Sequence, residues 1–132
     1  MTSRFTTLDP GWQWDDTAPL PQGKAYGNMV FVSGQIARHP DGHVVGVGDI
    51  RAQTRQVYAN IASVLALAGL SLTDVIKLTT FVTDPRHLVG MWEVRREVFG
   101  DLAHHPATTS IAVSALADPE LLIEVDAIAI KG

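Results

Sequence analysis

Between residues 49 and 69 the apolar positions Val57, Ile61, Val64, Leu65 and Ala68 return every three or four residues, with Arg51, Gln56, Asn60 and Ser63 mostly on other faces. That period predicts an amphipathic helix. Asp49 offers a cap acceptor at its start, and Gly69 a stop at its end. A second helix is predicted after Asp84-Pro85, a cap followed by an N1 proline. Its apolar face is Leu88, Met91, Val94 and Val98, and Gly100 closes it. Between the helices, "VIKLTTFVT" (75 to 83) is β-branched and aromatic and reads as a strand. Further strands are predicted around Met29 to Val32, over 109 to 116, and over 121 to 130. "HPDGHV" reads as a turn, because Pro40 sets φ and Asp41-Gly42 tolerate tight-turn conformations. A hairpin return through Val44 and Val45 is expected after it. Residues 1 to 25, with "PGWQWDDTAPLPQGKA", read as an irregular lead-in. The order β-β-α-β-α-β-β over one domain, 1–132, predicts an α+β sandwich. It has one mostly antiparallel sheet with both helices on one face.

The last strand, "LLIEVDAIAI", bears on the sheet's other face. Alternation sends Leu121, Ile123, Val125, Ala127 and Ala129 one way and Leu122, Glu124, Asp126, Ile128 and Ile130 the other. Both sets are too apolar for a strand with one side in water. One face packs under the helices, and the other is expected to bury between subunits. Glu124 and Asp126 then stand about 7 Å apart at or near that interface. A carboxylate there finds a cation in a rim salt bridge, or lines a wet inter-subunit cleft as a catalytic group.

Composition narrows the classes. The 132 residues carry a net charge of -4 and no cysteine. Negative charge without a basic-aromatic pattern argues against a nucleic-acid partner. Lack of cysteine excludes disulfides, a thiolate nucleophile and Cys zinc sites. "MTSRFTTLDPGWQWDD" has no apolar signal-peptide region, and no run approaches the roughly 20 apolar residues of a membrane span. A cytoplasmic protein is expected, with no cofactor and no metal. His104 and His105 are adjacent, so their side chains diverge, and no partner ligand stands at metal-site spacing nearby. "GVGD" (46 to 49) is too short to read as a phosphate loop. Trp12, Trp14 and Trp92 either pack or wall a pocket for an extended or aromatic substrate.

Three blocks together, "GNMVFVSGQI", "GDIRAQTRQVYANIASVLALAGLSLTDVIKLTTFVTD" and "EVDAIAI", resemble the reactive intermediate deaminase family. That family is also called YjgF or RidA-like, and in older labels L-PSP endoribonuclease. The resemblance runs from about Pro19 to the C-terminus. It implies a chorismate-mutase-like fold and a homotrimer with a small-molecule cleft between subunits. It also implies hydrolysis of enamine or imine intermediates to a carbonyl compound and ammonia.

Residue by residue, the resemblance is uneven. Ser33 and Gly34 of "SGQ", Ser110 and Glu124 match family positions. Where typical members read Pro-Ala-Arg-Ser, this chain reads Pro106-Ala107-Thr108-Thr109. Thr108 thus replaces the Arg that grips a substrate carboxylate with two parallel donors. A family Tyr aligns with Leu20, and a family Asn with Trp92. Glu124 is the expected water-activating base, with Ser33, Gly34, Thr108, Ser110 and Trp92 binding substrate. Neutral hydrogen bonds contribute about 0.5–1.5 kcal/mol against about 1.5–3 for charge-assisted ones. The expectation is a deaminase with altered specificity, and the alternative is a non-catalytic ligand-binding or chaperone-like trimer. The hydroxyls from Thr108 to Ser110 would also suit a plain strand entry.

Overall fold

Among the described residues six strands and two α-helices follow in the order β1 (Thr6–Leu8), β2 (Gly23–Tyr26), β3 (Met29–Ile36), α1 (Ile50–Ala66), β4 (Val75–Val82), α2 (Leu88–Phe99), β5 (Ala107–Ala112) and β6 (Ile123–Ile130). The computed structural model describes residues 4–14 and 20–132. The strands form one sheet in the order β1-β2-β3-β6-β4-β5. Every pair is antiparallel except β4 with β5. This is the mostly antiparallel α+β sheet expected from the pattern.

The helices begin where their caps stand. The Asp49 carboxylate accepts from the Ala52 N–H at 3.1 Å, one of the donors a first turn leaves unpaired. Asp84 does the same for Arg86 at 2.9 Å. There the chain makes one 3-10 turn, Pro85–His87, before α2 begins. Val57, Ile61, Val64 and Leu65 of α1 pack with Met91 and Val94 of α2 over Leu78, Val82, Val125 and Ala127. All are buried.

Four expectations need correction. Residues 1–25 are not all irregular, because β1 and β2 extend the sheet from within them; residues 15–19 lie outside the described ones. The return through Val44 and Val45 forms no strand, only a single bridge from Arg38 to Val44. Edge pairing of β3 is taken by β2, so nothing remains for that segment to complete. Val98 is only partly covered, at 38% exposure, and Phe99 takes its place in the core, its ring edge-on to Tyr58 at 5.2 Å. An aromatic ring buries more apolar area there than a valine would. Asn60, read as facing away from the core, is buried, and its Nδ2 donates to the Ile36 and Arg38 carbonyls at 3.0 and 2.8 Å. Those bonds satisfy backbone groups at the last residue of β3 and just past it.

Candidate active site

Strand β6 alternates buried and half-buried residues along its whole length. The buried set lies under the helices. Glu124, Asp126, Ile128 and Ile130 share the opposite face, which no described element covers. Register settles their neighbours. Phe81 of β4 stands beside Glu124, Thr79 beside Asp126, and Phe31 of β3 beside Ile128. The open face therefore sets two carboxylates among aromatic and aliphatic side chains.

Glu124 is seated by a break in the β3 ladder. Register between β3 and β6 shifts between Val32 and Gln35, so Ser33 and Gly34 form a bulge. The Ser33 hydroxyl donates to the Pro21 carbonyl at 2.7 Å, which leaves its lone pairs for a ligand. The Glu124 carboxyl lies over Gly34. A Cβ built there would stand 2.9 Å from both Cδ and Oε2 of Glu124. Only glycine admits the carboxyl at that depth. From the helix side, Gln53 fixes the chain entering β6. Its Nε2 donates to the Glu120 carbonyl and its Oε1 accepts from the Leu122 N–H, both at 2.8 Å.

Loss of solvent raises the Glu124 pKa above the usual glutamate value, and the Asp126 charge adds to the rise. Loss of solvent also raises Asp126, but the Thr79 hydroxyl and the Lys77 charge oppose it. Lys77 is itself held by Thr109, whose Oγ1 accepts from Nζ at 2.8 Å. Asp126 thus has satisfied neighbours, whereas no hydrogen bond to another side chain holds the Glu124 carboxyl among the described residues. Lys77, Thr79 and Thr109 were missed from sequence. Only the β4 register, not spacing along the chain, puts them beside the carboxylates.

The other expected site residues lie elsewhere. Thr108 pairs with Leu78 and Ser110 with Thr80, both of which point toward the helices. Thr108 and Ser110 are therefore on the face opposite Glu124, and it is Thr109 that shares the Glu124 side. Trp92, on α2, is exposed and borders a cavity with Arg95, Arg96, Asp101 and His105. One Arg95 guanidinium nitrogen is buried there without a hydrogen-bond partner. His105 turns its Nδ1 to the Pro106 carbonyl at 2.8 Å, and His104 turns to Asp101 at 3.1 Å. Leu20 is exposed. Trp12 is buried in the core, with Trp14 stacked on it at 5.7 Å. The chain therefore carries two groups: Ser33, Gly34 and Glu124 on the open face, and Trp92, Thr108 and Ser110 on the helix side.

Replacing Gly34 with alanine is expected to displace the Glu124 carboxyl while leaving the exposed bulge folded. Turnover should fall by about tenfold or more, since small displacements of a reacting group are costly. Circular dichroism and steady-state rates on the same preparation check this; unchanged rates would mean that the seat on Gly34 has no functional weight.

Fold and site together define an α+β sandwich with a half-buried carboxylate seated on a strand bulge. A family-level comparison matches residues 14–131 to Endoribonuclease L-PSP. The chain belongs to that family. A RutC family protein of Pyrococcus horikoshii is 42% identical over 113 residues, 86% of this chain and 87% of its own. TdcF of Escherichia coli strain K12, provisionally named a reactive intermediate deaminase, is 33% identical over 114 residues, 86% and 87% of the two chains. The YjgF gene product of Escherichia coli superposes over all of both chains with TM-score 0.80 at 30% identity. YyfA of Yersinia pestis, from the conserved Rid protein family, gives TM-score 0.86 at 30% identity over 96% and 99%. Among the described residues no helix is long and apolar enough to cross a membrane.

Proposed function

We propose that this protein hydrolyses enamine or imine intermediates to a carbonyl compound and ammonia, in clefts between the subunits of a homotrimer. The observation that carries the reading is the Glu124 carboxyl, raised in pKa and seated on Gly34 on the open face of the sheet. A carboxylate poised closer to neutrality is a better base toward water than an ordinary glutamate. Water activated at Glu124 adds to the C=N carbon. The nitrogen takes up protons, the carbinolamine collapses, and ammonia leaves. Ser33 offers lone pairs to the leaving nitrogen's protons. Because Glu124 and Thr108 lie on opposite faces of one sheet, a cleft that uses both takes them from two copies. Trimeric assembly, the absence of nucleic-acid and membrane partners, and a cytoplasmic setting belong to the same reading.

The substrate is larger or less anionic at the Thr108 end than a small imino acid. Threonine removes one positive charge and leaves room for several heavy atoms. Ammonia release from a panel of imines, small carboxylate-bearing against bulky or neutral, tests this. Bulky or neutral imines should turn over faster in the wild type. Thr108→Arg should improve small imino acids by up to about a hundredfold in affinity, the worth of a two-pronged ionic contact. A folded variant with an unchanged preference would remove position 108 from the site. Binding without ammonia release from any imine would favour a ligand-binding trimer instead.

A further inference from the structure

The turn after β3 brings together three donors that the reaction does not use. His39, Asp41 and His43 alternate along "HPDGH", and their donor atoms lie within 4.8 Å of one another. His39 Nδ1 is 3.3 Å from Asp41 Oδ1, and His43 Nδ1 is 2.5 Å from the same oxygen. The two imidazole rings lie nearly parallel, 5.0 Å apart with 21° between planes. We infer that this turn is a binding site for a borderline divalent transition ion, zinc or nickel, held by two imidazole nitrogens and one carboxylate oxygen.

The donor set decides the class of ion. Imidazole nitrogens select zinc, nickel and copper over magnesium and calcium, which prefer all-oxygen shells. An ion about 2.0–2.2 Å from each donor wants the donors roughly 3–3.5 Å apart. The His39 pair already meets that spacing, and a small rotation of His43 opens the other. In doing so the ion replaces the proton shared by His43 and Asp41. It also replaces the weak bond in which the Asp41 N–H donates to His39 Nδ1 at 3.2 Å. That N–H is exposed and passes to water at little cost. All three residues are exposed, so the remaining coordination positions face solvent.

The turn is also braced from outside the cluster, which lowers the ordering cost of closing it on an ion. The His39 N–H donates to the His43 carbonyl at 2.9 Å, pinning the two ends together. Arg38 Nη1 donates to the Gly42 carbonyl at 2.7 Å, and Arg38 is itself held by Asp118 at 3.1 Å. Gly42 has φ of 102°, the left-handed region that lets the chain reverse between Asp41 and His43. On the other side the N-terminal segment crosses the turn. The Gln13 N–H donates to the Pro40 carbonyl at 3.1 Å, and Trp14 packs beside Gly42. The stacked Trp12 and Trp14 therefore form a fluorescent reporter next to the site.

Calorimetric titration of the full chain with Zn²⁺, in a buffer without phosphate or chelator, tests the inference. Ni²⁺ quenching of tryptophan emission provides a second readout. The expected result is one saturable ion per chain. His39→Ala and His43→Ala should each weaken it by at least about tenfold. Asp41→Asn should weaken it too, and Ca²⁺ should give no heat. Of the five histidines, His104 and His105 serve as controls, and a His104→Ala/His105→Ala chain should bind as the wild type does. Binding that survives His43→Ala, binding lost in the control chain, or no saturable binding would each overturn the site. None of the three donors takes part in the proposed hydrolysis, so neither outcome bears on the deaminase reading.

Discussion

Glu124→Gln is expected to lower turnover on a responsive imine by at least about a hundredfold, the ordinary worth of a positioned general base. Gln keeps the shape over Gly34 and removes the basic oxygen. Asp126→Asn should cost far less, because Asp126 is engaged by Thr79 and Lys77. Two further readouts separate a chemical role from a structural one. In the wild type, activity should fall with decreasing pH at a value above the ordinary glutamate range, since the base must be ionised and burial raises its pKa. Stability should move the other way. The unfolded chain releases the Glu124 proton at the ordinary, lower pKa. Between that value and the raised folded one, the folded state binds more protons. Stability therefore falls as pH rises through that window and stays lower above it. Glu124→Gln is expected to raise Tm at neutral pH while removing activity. A variant with full turnover, or one that loses activity only because it is less stable, would refute the water-activation role.

Phe31→Asp is expected to dissociate the homotrimer proposed above. Phe31 stands on the open face beside Ile128 and is 42% exposed in the single chain. A covered aromatic anchor contributes large contact area, and a carboxylate in its place must be desolvated without a partner. Weakening by at least about a hundredfold per interface is the expected scale. Light scattering should give the mass of three chains for the wild type and of one for the variant. The isolated variant should keep its circular dichroism, because Phe31 lies outside the helix-covered core. Its deaminase activity should disappear with the partner's half of the cleft. A monomeric wild type, or a variant that stays trimeric and active, would remove the shared-cleft reading.

Much of this architecture was legible along the chain because its signals are local. Helical spacing in α1, the Asp49 cap and the alternation of β6 each report a face within a few residues. The carboxylate pair on an unpartnered face followed from alternation alone. What could not be read depends on pairing between distant segments. Whether Thr108 or Thr109 shares a side with Glu124 is set by which residue of β4 each lies beside, and a shift of one residue exchanges them. β2 was missed because proline, glycine and aspartate are frequent in residues 10–25 and mask the short stretch that pairs with β3, and β1 because its three residues, Thr6–Leu8, are too few to show an alternation. The His39, Asp41 and His43 cluster was hidden differently. Its Pro-Asp-Gly core is so strong a turn signal that the flanking imidazoles went unread.

The place of β6 has a consequence for how the molecule comes to exist. The strand formed from residues 123–130 lies between β3 and β4, whose residues leave the ribosome much earlier. Until it is made, the β1-β2-β3 ladder and the β4-β5 pair have no hydrogen-bonded connection to each other. The nascent chain can preform helices and one meander, but the sheet closes only when its final strand inserts between two waiting edges. Both edges and the apolar surfaces beside them stay open during synthesis, and loop closure over most of the chain is deferred to that last step. Closure of the sheet thus waits on residues 123–130, and a product interrupted before them would present two unsatisfied strand edges, a substrate for chaperones and proteases.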